Sequence, residues 1–122
     1  MNGLPKICLY ACLAMLLTAP VTAPARADGF VSGAGDLPLM AGLTEDQGAN
    51  LVFDKPGGRI VEAWASGAVS RAAVGAFYAE TLPELGWQRL DAADWTREGE
   101  RLRIDITGGD DALIVHFSIS PE

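Results

Sequence analysis

Residues 100–120 read ERLRIDITGGDDALIVHFSIS, and this stretch decides the fold. In its first half Leu102, Ile104 and Ile106 alternate with Arg101, Arg103, Asp105 and Thr107. In its second half Leu113, Val115, Phe117 and Ile119 alternate with Ile114, His116, Ser118 and Ser120. A period of two sends successive side chains to opposite faces of a strand, so one face is buried and one is wet. Gly108-Gly109-Asp110-Asp111 between the halves is turn chemistry. Two neighbouring antiparallel strands follow.

The flanking sequence extends this sheet. Trp87–Leu90 and Asp94–Arg97 are short strand candidates, and Glu98-Gly99 turns the second of them into residue 100. Leu51–Asp54 and Arg59–Ser66 read as a hairpin around Lys55-Pro56-Gly57-Gly58, with proline presetting φ and glycine accepting a positive one. Facing is ambiguous there, because Ile60 and Trp64 lie on one side and Val61, Ala63 and Ala65 on the other.

One helix separates the two groups of strands. Val74, Phe77, Tyr78, Thr81, Leu82 and Leu85 form a continuous stripe at helical spacing. Ser70 suits the N-cap, Pro83 hinders continuation, and Gly86 can end the helix in a left-handed conformation. The expectation is an α+β, two-layer fold. It has an antiparallel sheet of four or five strands, one amphipathic helix on one face and the order ββαβββ, with room for one extra short strand.

The first 27 residues read as a different object. A start carrying Lys6 precedes the apolar run Ile7–Leu17, and a small-residue and proline stretch ends in Ala25-Arg26-Ala27. That order is a secretory signal peptide, cleaved between Ala27 and Asp28. Pro20 and Pro24 cut the apolar stretch short of a bilayer span, so no stable membrane span is expected after cleavage. Lipidation at Cys12 fits poorly, since Ile7–Ala11 alone would be too short an apolar region and Tyr10 is bulky near the cut. The expected location is periplasmic or secreted.

Cleavage changes the arithmetic. Cys8 and Cys12 both leave, which excludes disulfides and thiol chemistry from residues 28–122. The formal charge of −7 becomes two units more negative with the loss of Lys6 and Arg26. Such an acidic chain disfavours nucleic acid, whose phosphates require clustered Lys and Arg. Of the 122 residues, 28–122 suffice for one domain. Residues 28–50, with five glycines and Pro38 but no sustained period, read as an arm strapped across the core. Residues 51–122 form the α+β domain.

Little in the sequence carries chemistry. His116 is the one histidine, and no G-x-S-x-G elbow accompanies it. Asp110-Asp111 is too small a donor set for calcium, which takes 6–8 oxygens, so neither metal nor cofactor is expected. Trp64, Trp87 and Trp95 lie near Arg89, Arg97, Arg101 and Arg103 in sequence, a composition suited to an interface. Trp87, directly after Gly86, belongs in the core. Trp95, Arg97, Arg101, Arg103 and His116 are the candidate interaction surface, with Trp95 expected to be exposed.

Phe77-Tyr78 and Leu82-Pro83-Glu84-Leu85-Gly86-Trp87 add a resemblance. The region from Leu51 to Ser120 resembles small bacterial exported proteins in which a helical Phe-Tyr pair precedes an L-P-x-L-G-W-like turn into a strand. The resemblance implies a two-layer α+β module and brings no activity or catalytic residues with it. The leading expectation is a non-enzymatic binding or accessory module with another periplasmic protein as partner. The alternative is a small hydrolase-like or ligand-binding domain using His116 with Asp105 or another acid.

Overall fold

A computed structural model describes Gly3 and residues 27–122. The expected signal segment, with Ala25, Cys8 and Cys12, lies outside the described residues apart from Gly3 and Ala27. Ala27 and Asp28, the two sides of the expected cut, open the first strand.

The chain runs through β1 (Ala27–Val31), β2 (Ala34–Met40), β3 (Thr44–Glu45), β4 (Leu51–Lys55), β5 (Gly58–Gly67), α1 (Arg71–Glu84), β6 (Gln88–Arg89), β7 (Asp94–Arg97), β8 (Glu100–Thr107) and β9 (Leu113–Pro121). The main sheet is antiparallel, in the order β3-β5-β9-β8-β7-β6, with β4 also paired to β5. From β5 the chain crosses by α1 to the far edge. It then returns through the meander β6-β7-β8-β9 and closes against β5.

This is an α+β architecture, but the sheet has seven strands, where the sequence suggests four or five. β3 is a two-residue ladder, too short to show any period, and the Trp87–Leu90 candidate is strand only over Gln88–Arg89. The expected arm is likewise strand. β1 and β2 form a separate hairpin whose register shifts around Phe30 break the alternation. Leu37, Pro38, Leu39 and Met40 are buried in succession, so β2 shows no wet face there.

The second layer, α1 plus the β1–β2 hairpin, covers one face of the sheet. Val74, Phe77, Tyr78 and Leu82 from α1 and Val31, Ala34, Leu37 and Met40 from the hairpin share a core with Val61, Leu102, Val115, Phe117 and Ile119. Tyr78 joins the layers. Its ring meets Phe117 at 5.5 Å and 66°, its hydroxyl donates to the Pro38 carbonyl at 2.9 Å, and it accepts from the Met40 N–H at 3.4 Å. Burial pushes the Tyr78 phenol well above its ordinary pKa.

The helix ends follow from their residues. Ser70 caps the first turn, its hydroxyl accepting from the Ala73 N–H at 3.0 Å. At the other end Gly86 adopts φ +90°, and its N–H reaches the Pro83 carbonyl at 3.1 Å. The Trp87 N–H reaches Leu82 O, also at 3.1 Å. This is a Schellman closure, and Leu82 and Trp87 supply the apolar contact that accompanies it. The helix runs to Glu84, past the Pro83 that the sequence marks as a hindrance to continuation. Pro83 sits in the last turn, where it denies a donor only to the carbonyl one turn back.

Candidate functional site

The face of the sheet that α1 and the hairpin leave uncovered carries the residues with chemistry to offer. Its composition follows from the register. Trp64 of β5 lies opposite His116 of β9, and His116 opposite Asp105 of β8. One row along, Glu62, Ser118, Arg103 and Asp94 line up across β5, β9, β8 and β7. Ser120 and Arg101 follow in the next row.

Trp64 and His116 stack face to face, with ring centroids 4.3 Å apart and planes 6° from parallel. The His116 Nε2–H donates to Glu62 Oε2, and the Ser118 hydroxyl donates to Glu62 Oε1 at 2.8 Å. One carboxylate therefore orients two polar side chains of β9, those of His116 and Ser118. All three are half-buried, held by a sheet rather than a loop.

Arg101 and Arg103 converge on Asp94, which is only 5% exposed. Arg103 Nη1 donates to Asp94 Oδ2 at 2.9 Å, and Arg101 Nε lies 3.5 Å from Asp94 Oδ1. The guanidinium of Arg103 also donates to Asp105 Oδ2 at 3.0 Å. Asp94, Arg101 and Arg103, with Ser118 and Ser120, line a shallow concavity of about 340 Å³. A second concavity, of about 250 Å³, lies beside Trp64 and Ile114 against Asp46 and Ala49 of the loop between β3 and β4.

Three of the five residues named as a surface from the sequence come together here: Arg101, Arg103 and His116. Trp95 and Arg97 do not. Trp95 is 4% exposed and belongs to the core on the covered face, because its register partner is the buried Leu102. The Arg89 guanidinium lies over it at 5.3 Å. Arg97 shares that parity. It stacks over Trp87 at 4.3 Å, donates to the Leu85 carbonyl at 3.1 Å and pairs with Asp36 of β2. The aromatic–arginine pairs implied by composition exist, but these two fasten the core and the helix end.

The partner of His116 also differs. Asp105 lies opposite it yet bonds to Arg103, and Glu62 is the acid that holds the imidazole. Glu62, Trp64 and Ser118 are the residues that the sequence reading passed over as a group. The available signal was parity on β5, where small Ala63 and Ala65 alternate with Glu62 and Trp64 and so mark the opposite face.

Asp110 and Asp111 are exposed, and Asp110 accepts from the Arg71 N–H at 3.3 Å, at the start of α1. Among the described residues no cluster of three His, Cys, Asp or Glu side chains could hold a metal, and no helix is long and apolar enough to cross a membrane. Compared with known proteins, the chain matches no family model, no curated protein and no solved structure.

Proposed function

We propose that the protein is an exported, non-enzymatic binding or accessory module that engages another exported protein through the uncovered face of its sheet. One observation carries this reading. The second layer covers one face only, and the other presents the Trp64–His116 stack between exposed Ile114 and the Arg101–Arg103 pair. Aromatic residues and arginine on a rigid scaffold are the composition of protein interfaces. Export rests on the order of charge, apolar run and A-x-A site in residues 1–27.

The hydrolase-like alternative needs a nucleophile within reach of a histidine base. Ser118, two residues along β9, gives its hydrogen to Glu62 rather than to His116. His116 in turn spends its Nε2 on the same carboxylate. The cluster therefore behaves as a structural bracket under a binding face.

Site-specific photo-cross-linking in the producing cell tests the reading. A cross-linker at Ile114 or Ser66 should give a discrete adduct that disappears when Trp64→Ala and Arg103→Glu are combined. The same cross-linker at Ala76, on the exposed side of α1, should give none. No adduct from the sheet face, or identical adducts from Ala76, would overturn it.

A further inference from the structure

The sheet's edges are unequal. β3 and β6 are only two residues long, which protects them from pairing with foreign strands. β4 is a five-residue edge with no proline inside it. It pairs only with β5, and no other described strand lies along its outer side. Its Leu51, Val52 and Phe53 are 46%, 48% and 53% exposed, three consecutive large apolar residues on one unpaired edge.

We propose that β4 pairs antiparallel with β4 of a second copy of this chain, giving a two-fold dimer in which the two sheets run together. Identical strands paired in this way are related by an axis perpendicular to the sheet, so one residue must face its own counterpart. The three interior residues of β4 place most of the strand in the ladder when they sit on that axis. Asp54 there would set two carboxylates opposite each other, which is unfavourable. Phe53 there would leave Val52 facing Asp54 and Leu51 facing Lys55. With Val52 on the axis, Leu51 faces Phe53 of the other copy and every exposed apolar side chain of β4 meets an apolar one.

The sheet behind β4 continues this match. Val52 lies opposite Val61 and Phe53 opposite Ile60 within the protomer. On the covered side the rows then read Val61, Val52, Val52, Val61 across the junction, an extension of the core to which Val61 belongs. On the other side they read Ile60, Phe53, Leu51, Glu62. Asp54 falls opposite Asn50, so no like charges face one another. Only one strand is contributed by each copy, so the dimer is a weak, reversible one by comparison with standard interfaces of about 800 Å² per partner. Both copies carry a net negative charge, −7 for the full sequence and two units more after the expected cleavage, so added salt strengthens the dimer by screening their repulsion.

Sedimentation velocity on the purified chain over a range of concentrations is the test. The wild-type protein should shift from monomer to dimer as concentration rises, and more readily at higher salt. Val52→Lys and Val52→Glu should each weaken dimerisation by at least about tenfold, since like charges directly opposite destabilise a ladder. Their equimolar mixture should restore a heterodimer. Leu51→Lys mixed with Phe53→Glu is a second pair that leaves Val52 intact, and it should likewise associate although each alone does not. Circular dichroism checks that each variant folds. A wild-type monomer at every concentration overturns the proposal, as does a dimer indifferent to both pairs. So does a monomer that binds an extended strand of another protein along β4, which would assign the edge to that partner.

Discussion

Trp64 and His116 face each other from adjacent strands, one ring resting on the other at 4.3 Å. Neither ring lies in the core, so the stack orders the uncovered face without drawing on the hydrophobic layer beneath. Stacked aromatic pairs contribute about 0.5–1.5 kcal/mol beyond the area they bury. A double-mutant cycle with Trp64→Ala and His116→Ala, read by urea unfolding, should therefore return a coupling in that range. Strict additivity would show that the stack adds no interaction of its own.

Asp36 fastens the β1–β2 hairpin to the sheet through Arg97 and Arg59. Burial pushes its carboxyl up, but the hydrogen bond and charge of Arg97, with the charge of Arg59, more than offset this and hold it below the usual carboxylate value. The unfolded chain therefore takes up this proton first as pH falls. The stabilisation is complete above the unfolded value of about 3.9 and is lost as pH drops through the lower folded one. Asp36→Asn should cost about 1 kcal/mol at neutral pH, a modest figure because the group is partly solvated. It should also flatten the acid limb of a plot of urea midpoint against pH. An unchanged acid limb would remove Asp36 from the account.

Two glycines should respond oppositely to alanine. Gly86 holds φ +90° at the helix closure, a conformation that costs an L-residue about 1–2 kcal/mol. Gly75 lies on the exposed side of α1 with no atom within 4 Å of an added Cβ. Thermal unfolding should show Gly86→Ala destabilised by that amount and Gly75→Ala stabilised by about 0.5–1 kcal/mol.

Removing the Tyr78 hydroxyl leaves the Pro38 carbonyl and the Met40 N–H without their partner in a buried site. Tyr78→Phe should cost about 1–3 kcal/mol. Hydrogen exchange should quicken most around Met40, while the β8–β9 ladder stays protected until global unfolding.

Export makes a direct prediction at the N-terminus. Edman sequencing of the protein recovered outside the cytoplasm should begin at Asp28, after Ala25-Arg26-Ala27. A chain that retains Met1 in that fraction would argue for an uncleaved anchor.

The strands with a wet face were the legible ones. Arg101 to Thr107 and Leu113 to Ser120 alternate because α1 and the hairpin cover only one side of β8 and β9, and the structure keeps that alternation residue for residue. The helix stripe from Val74 to Leu82 is equally plain, because its other side meets solvent. Residues 28–50 hid their strands for the converse reason. Bulges around Phe30 and four successive buried residues from Leu37 erase the period that strand recognition relies on.

The candidate face was legible only in part. Parity along β8 and β9 places Arg101, Arg103 and His116 together, whereas Trp95 sits on a four-residue strand whose facing depends on its pairing with Leu102. Nothing local to Asp94–Arg97 announces that register. Glu62 needed the pairing of β5 with β9, a contact between residues more than fifty positions apart.

That pairing also governs the order in which the molecule can be assembled. β9 follows every other described strand in the sequence, yet it lies between β5 and β8. Until Leu113–Pro121 is in place, β3, β4 and β5 form one half-sheet and β6, β7 and β8 another, with no ladder between them. The meander's hairpins are short-range and can zip early, but closure onto β5 must wait until Leu113–Pro121 has been made and a long loop is brought in. The sheet thus stays open until Leu113–Pro121 is free to pair, and a break before Leu113 would leave two fragments of sheet that share a helix and little else.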